Sequence, residues 1–176
     1  MARLGFFGLV ILAACSQSGG TSESPAPQQP AASAPWQGNA VPASAVPPVY
    51  IDVWTKAANK ETCALVALTQ HGQAGATPRA ATFSGGWAVA YDLPNQRSAF
   101  GIAGTGTEPT ADTYDAWPHK RTWADGSRVG YGPEGHTGPN QLAYLRIAGQ
   151  RCLYNVWSRL SVEHLESLLE GIRFVR

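Results

Sequence analysis

The stretch SVEHLESLLEGI, residues 161–172, carries the clearest structural signal in the chain. Ser161 is a residue type that accepts a hydrogen bond from a free amide at the start of a helix, and Glu163 opposes the positive end of the helix dipole. The stretch therefore predicts an amphipathic helix that begins after Ser161. Its apolar residues recur at the spacing of one helical face: Leu165, Leu168, Leu169 and Ile172.

Upstream of this helix, three pairs of apolar segments predict β-hairpins. The segments are rich in β-branched and aromatic residues, and each pair flanks a turn signal. The pairs are 141–148 with 151–158 around Gly149-Gln150, 121–124 with 127–131 around Asp125-Gly126, and 87–91 with 100–102 around the turn at 93–96. Six strands and a C-terminal helix predict an antiparallel α+β domain. Trp87 and Trp157, which lie in predicted strands, are expected in its core.

Two further segments are harder to interpret. Residues 60–70 have no clean hydrophobic period; Asn59 before them and Gly72 after them favour a short buried helix, and a buried strand is the alternative. Residues 49–54 are predicted to be extended, as a continuation of the Pro47-Pro48 segment, in which Pro47 avoids helical backbone angles because it precedes a proline.

The start of the chain reads as an export signal. One cation, Arg3, precedes an apolar run over residues 4–14, which is too short to cross a bilayer. The run ends in Leu12-Ala13-Ala14-Cys15, which resembles the lipobox of bacterial lipoproteins. The resemblance implies removal of a signal peptide, residues 1–14, and attachment of diacylglyceryl and palmitate-type acyl chains to Cys15. A plain signal peptide is the alternative.

The lipobox resemblance also implies a location. Sorting of such proteins in Gram-negative bacteria depends on the residue after the lipidated Cys, and here that residue is Ser16 rather than Asp. The resemblance therefore implies an outer-membrane protein, held by its lipid and facing the periplasm.

Composition divides the rest of the chain into a tether and one domain. Residues 16–48 contain seven Pro and a single charged residue, Glu23, so we expect residues 15–48 to form a disordered tether. Its lone aromatic residue, Trp36, is expected to have no role, and a docking point is the alternative. Residues 49–176 are predicted to form a single domain. Export to an oxidising compartment predicts a disulfide between Cys63 and Cys152.

The charge pattern excludes one class of partner. The formal net charge is +1, charged residues make up 14% of the chain, and no basic stripe is present, so no nucleic-acid partner is expected. Residues 101–106 are Gly-rich but lack the order of a phosphate-binding loop. We therefore expect no cofactor. No His lies at ligand spacing from Cys63 or Cys152, so no metal site is expected either.

The loop-rich stretch 105–140 is the predicted location of any site. The exposed surface proposed for binding consists of Trp117, His119, Trp123 and His136, since Trp faces stack on sugar rings or anchor protein interfaces. The sequence favours a non-enzymatic binding or envelope-assembly module that contacts a glycan or an envelope protein. The alternative is a small envelope enzyme, such as a hydrolase, in which His119 or His136 pairs with one of the nearby carboxylates: Glu108, Asp112 or Asp115.

Overall fold

The computed structural model describes residues 31–176 apart from residues 39, 84, 108, 109, 111, 137 and 138. At residues 112, 115 and 136 it describes the backbone. The predicted signal peptide (1–14), Cys15 and residues 16–30 of the predicted tether lie outside the described residues. Within them, no helix combines the length and the apolar character that crossing a bilayer requires.

The described residues fold into three helices, nine strands and three short 3₁₀ turns. The helices are α1 (Pro48–Thr55), α2 (Asp112–Asp115) and α3 (Val162–Glu170). The strands are β1 (Val66–Leu68), β2 (Thr77–Ala81), β3 (Trp87–Leu93), β4 (Gln96–Gly104), β5 (His119–Thr122), β6 (Arg128–Pro133), β7 (Gln141–Arg146), β8 (Tyr154–Ser158) and β9 (Ile172–Phe174). The 3₁₀ turns are Pro35–Gln37, Ala43–Ala45 and Glu134–His136.

The predicted α+β class with an antiparallel sheet is confirmed. Seven of the described strands form one antiparallel sheet in the order β2-β3-β4-β8-β7-β6-β5, and β1 pairs with β9 in a separate two-stranded sheet. The prediction of six strands was too low. Strands β1 and β9 contain only three residues each, too few to establish a pattern, and β2 reads Thr-Pro-Arg-Ala-Ala, which shows no alternating apolar pattern.

All three predicted hairpins are present. Strand β3 pairs with β4, β5 with β6, and β7 with β8. In the second hairpin Gly126 adopts a φ of 85°, and in the third Gly149 adopts a φ of 81°, a backbone region that glycine enters at little cost. The third connection is longer than the predicted two-residue turn, because β7 ends at Arg146 and β8 begins at Tyr154.

Helix α3 begins where the sequence predicts and ends earlier than its apolar pattern. The Ser161 hydroxyl accepts a hydrogen bond from the His164 amide, as expected of a capping residue. The helix stops at Glu170 because Gly171 packs directly on another segment: a Cβ at Gly171 would lie 2.6 Å from the Gln70 carbonyl oxygen. Ile172, which fits the helical pattern, instead begins β9.

Two local predictions were wrong. Residues 60–70 form turns followed by the buried strand β1, so the alternative interpretation applies and the predicted helix is absent. Residues 49–54 lie in α1 rather than in an extended segment. Pro48 occupies the first position of α1, where its missing N–H costs no hydrogen bond and its fixed φ suits the helix.

The second half of the predicted tether packs on the domain, so the predicted boundary at residue 49 is too late. Backbone hydrogen bonds join Val41 to Phe174 and to Arg176, which extends the β1–β9 sheet by one bridge. Ala34 and Val46 are buried. A Pro-rich composition disfavours regular helices and strands, but it does not prevent a segment from packing when it carries a large apolar side chain.

That side chain is Trp36, which is only 2% exposed. Its ring meets the Trp123 ring edge-on, with 4.8 Å between ring centroids, and its indole N–H donates to the Asp125 carboxylate at 3.0 Å. Burial raises the pKa of Asp125, but hydrogen bonds from Ser127 and Trp36 outweigh it and hold that pKa below its usual value. Trp36 thus anchors the N-terminal segment to the β5–β6 turn.

The predicted disulfide between Cys63 and Cys152 is present, and it joins residues 89 positions apart. Hydrogen bonds reinforce it on both sides: the Ala64 amide donates to the Gln150 side chain at 2.8 Å, and the Tyr154 hydroxyl donates to the Ala64 carbonyl at 2.9 Å. The crosslink therefore ties the segment before β1 to the connection between β7 and β8.

We predict that Trp36→Ala lowers the free energy of unfolding by about 3–5 kcal/mol, because it removes a buried indole and leaves a cavity against Trp123. Urea unfolding of the purified protein measures the change. Ser44→Ala, at an exposed position of the same segment, is the control and should leave the midpoint unchanged. Equal midpoints for Trp36→Ala and the native chain would mean that this segment is a tether after all.

Candidate functional site

The two faces of the seven-stranded sheet differ in what covers them. Helices α1 and α3 pack on one face, where Tyr91 hydrogen-bonds to Tyr50 of α1 and Tyr131 donates to Glu166 of α3. The opposite face, called the open face below, carries small residues at its centre. On β3 and β4, small residues face this side and alternate with large residues that face the core. The small residues are Ala88, Ala90, Gly101 and Ala103, and the large ones are Val89, Tyr91, Phe100 and Ile102.

A groove of about 740 Å³ crosses the open face and is called the aromatic groove below. Its floor consists of Leu142 and Tyr144 from β7 with Asn155 and Trp157 from β8. Phe83, after the end of β2, closes one side. Its volume lies in the range of pockets that bind small organic ligands.

Trp157 owes its position to a glycine on the neighbouring strand. Residues Gly101 and Trp157 are paired between β4 and β8, and a Cβ on Gly101 would lie 2.3 Å from Cζ2 of the indole. The indole therefore lies across β4 in the space that a side chain would fill, and its N–H donates to the Ser98 carbonyl oxygen at 3.4 Å. Trp157 is half-buried, so part of its ring remains available to the groove.

Asn155 is the buried polar group of the floor. It lies opposite Tyr144 in the register and two residues before Trp157, hence between the two aromatic side chains. Asn155 is only 9% exposed, and its Oδ1 has no hydrogen-bond partner among the described residues. A buried acceptor without a partner is costly. Five buried side-chain atoms lack a partner among the described residues, and Asn155 is the one of their residues that lines the groove.

The rim of the groove is polar and carries both signs of charge. Arg159 donates to the Asn140 side chain at 3.2 Å and to the Arg97 carbonyl at 3.1 Å, which fixes its guanidinium. Glu134 and Ser98 line the same groove. The rim thus offers hydrogen-bond donors and acceptors without a strong field of one sign.

A second hollow of about 530 Å³ lies next to the groove and shares Tyr144 with it. Trp117 lines this hollow and meets the Tyr144 ring edge-on, with 5.3 Å between centroids. The absence of a side chain at Gly130 lets Trp117 approach the sheet, because a Cβ there would lie 2.8 Å from the indole Cδ1. The aromatic surface of the open face therefore continues from Trp157 through Tyr144 to Trp117.

The structure does not bring the four predicted binding residues together as one exposed surface. Trp117 is half-buried and lines the second hollow, while His119 is exposed and stacks on Tyr131 with 5.1 Å between ring centroids. The prediction was wrong for Trp123, which is 2% exposed because it packs on Trp36. The His136 side chain lies outside the described part of the chain.

The sequence prediction missed the groove, and it wrongly assigned Trp157 to the core. The available signal was the alternation in β8, where Asn155 and Trp157 share one face while Tyr154, Val156 and Ser158 share the other. An amide between large apolar residues on one strand face is unusual in a core. The alternation assigns Trp157 to the groove only when it is also known that Gly101 lies beside Trp157.

The predicted acid–base pairs involve positions that the structure does not describe in full: Glu108 and the side chains of Asp112, Asp115 and His136. His119 remains, and its described contact is Tyr131. Among the described residues, no group of three or more His, Cys, Asp or Glu side chains could hold a metal ion.

A serine–histidine hydrogen bond does occur, but it lies in the core. The Ser158 hydroxyl is 2.9 Å from Nδ1 of His164, whose Nε2 is 3.0 Å from the His71 carbonyl oxygen. Since a carbonyl can only accept, His164 donates from Nε2 and accepts from Ser158 at Nδ1. Ser158 has no exposed surface, so its hydroxyl cannot meet a substrate from solvent. The pair fixes α3 against β8.

We predict that the protein loses stability between pH 7 and pH 5. Burial lowers the pKa of His164 below its usual value, although the hydrogen bond to the His71 carbonyl opposes this effect. Burial also lowers the pKa of His71, and the charge that His164 would carry lowers it further. In this window the unfolded chain, whose histidines titrate near about 6.5, binds more protons than the folded chain, so the free energy of unfolding decreases as the pH falls.

Melting temperatures between pH 7 and pH 5 measure this loss. His164→Asn, which keeps a polar atom near Nδ1 without a titrating imidazole, should flatten the decrease, and the exposed His119→Asn is the control. An equal slope for His164→Asn and the native chain would contradict the assignment.

The open face therefore combines an aromatic floor, a buried amide whose Oδ1 lacks a partner among the described residues, and a polar rim, whereas the hydroxyl of the described Ser–His pair is fully buried behind the sheet. This contrast makes the aromatic groove the candidate functional site. Comparison with protein-family models, curated proteins and solved structures finds no match to this chain.

Proposed function

We propose that this chain is a lipid-anchored protein of the bacterial envelope whose domain binds a partner through the aromatic groove, without carrying out chemistry on it. The observation that carries the proposal is Asn155, a buried groove residue whose Oδ1 has no hydrogen-bond partner among the described residues and which neighbours Tyr144 across the strands and Trp157 along β8. Aromatic surface gives affinity, and a few fixed polar groups orient the ligand.

Two features support the envelope location. The lipobox-like sequence Leu12-Ala13-Ala14-Cys15 follows an apolar segment of signal-peptide length, and Ser16 favours the outer membrane, where the domain would face the periplasm. The disulfide between Cys63 and Cys152 is of a kind that forms in oxidising compartments such as the periplasm.

The binding role is favoured over the enzymatic one by the character of the two candidate sites. The groove places aromatic and amide side chains on its floor, which suit recognition. The described Ser158–His164 pair has the residue types for nucleophilic catalysis, but its hydroxyl is fully buried and neither residue lines the groove.

Lipidation is tested on Cys15. Cells grown with radiolabelled palmitate should label the native protein and leave Cys15→Ser unlabelled, because the substitution removes the sulfur that receives the lipid. The variant should also keep the mass of the uncleaved precursor. Ser16→Ala is the matched control and should be labelled normally. Label in Cys15→Ser, or none in the native protein, would contradict the anchor.

The binding role is tested by hydroxyl-radical footprinting of the full-length protein with and without an extract of the native envelope. Occupancy of the groove should slow oxidation of Trp157 and Tyr144, since a bound molecule shields their rings. Trp54 of α1, half-buried on the other side of the sheet, is the internal control and should oxidise at an unchanged rate. Unchanged rates at Trp157 and Tyr144 would refute the proposed function.

A further inference from the structure

The position of the groove on the sheet restricts how a ligand can be recognised. It lies over β4, β8 and β7, whose backbone groups are paired with strands on both sides. The edges of the sheet are β2 and β5. The groove reaches the edge strand β2 only at its last residue, Ala81. An extended peptide that binds by adding a strand needs a free edge, which the three central strands under the groove do not offer. A ligand in the groove must be held by side chains.

Those side chains suit a molecule that has one apolar face and a polar circumference. Trp157 lies across β4 above Gly101, and the Tyr144 ring is held edge-on by Trp117. Both rings are fixed by packing before any ligand arrives, which lowers the entropic cost of stacking. Sugar rings present this combination, with C–H groups on their faces and hydroxyl groups around their edge.

The polar groups of the groove point to the same chemistry. Asn155 and Asn140 offer amides, each with a donor and an acceptor side, and a sugar hydroxyl both donates and accepts. A purely apolar ligand would leave the buried Asn155 amide without a partner. A multiply charged ligand would meet both Glu134 and Arg159, and the Arg159 guanidinium already has two acceptors.

We propose that the aromatic groove binds a neutral oligosaccharide, with one sugar ring stacked on Trp157 and a hydroxyl group of that ring hydrogen-bonded to Asn155. This assignment rests on the proposed binding function and names its ligand class. The second hollow, which shares Tyr144, extends the site toward Trp117 and gives room for further rings of the same chain.

The test uses the full-length protein and three fractions of the native envelope. The carbohydrate fraction is released with muramidase, freed of protein by protease and of lipid by solvent extraction, and its uncharged oligosaccharides are collected as the material that anion- and cation-exchange columns do not retain. The protein and lipid fractions are prepared in parallel. The detergent that holds the lipidated protein must lack a sugar headgroup. Footprinting of Trp157 and Tyr144 is repeated with each fraction, and the carbohydrate fraction should slow their oxidation.

Variants then localise the effect. Asn155→Ala and Trp157→Ala should each raise the half-maximal carbohydrate concentration about tenfold or more, read from Tyr144 oxidation. Trp157→Phe, which keeps an aromatic face, should recover part of the loss. Phe174→Ala, on the two-stranded sheet, is the control and should leave the half-maximal carbohydrate concentration unchanged. Melting temperatures identify any variant that fails to fold, and Asn155→Ala carries the test if Trp157→Ala does not fold.

The outcomes separate the two proposals. Shielding by the carbohydrate fraction that weakens in Asn155→Ala supports the oligosaccharide. Shielding by the protein or lipid fraction alone overturns it, while the binding function stands with a different ligand. The absence of shielding by any fraction overturns both.

Discussion

The difference in side-chain size between the two faces of β3 and β4 is the constraint on which the rest of the structure depends. Large residues such as Tyr91 and Phe100 stack on the core side, with 4.7 Å between their ring centroids, and give α1 and α3 a surface to pack on. The opposite face carries Ala and Gly at the matching positions. Substituting a larger residue at Gly101 would displace the Trp157 indole and remove the floor of the groove.

The groove also depends on contacts made behind the sheet. Strand β8 carries Asn155 and Trp157 on the open face, while Tyr154 of the same strand reaches the Ala64 carbonyl on the core side. The disulfide between Cys63 and Cys152 anchors the start of that strand, and Ser158 at its end is held through His164 to α3. Because β8 is fixed at both ends, the two side chains that it presents to the groove are preorganised.

The parts of the fold that could be predicted are those determined by residues that lie close together in the sequence. Each hairpin has a turn signal between two apolar segments, and the start of α3 has a capping Ser161 before an amphipathic pattern. Helix α1 was missed because Pro47-Pro48 suits both an extended segment and the first turn of a helix. Trp36 and Trp157 were misassigned because their surroundings are set by Trp123 and Gly101, which lie far away in the sequence and have no local signal.

The anchoring of Trp36 has a consequence for how far the domain could travel if Cys15 carries a lipid. With the chain fixed to the domain from Ala32 onward, where the Ala124 amide donates to the Ala32 carbonyl, sixteen residues separate it from Cys15, and at about 3.6 Å for each step they span at most roughly 60 Å. If the chain were fixed to the domain only from residue 48, the connecting segment could reach almost twice as far. Because the volume within reach of the attachment point grows with the cube of this distance, the shorter connection concentrates the groove roughly sevenfold in the zone next to the bilayer.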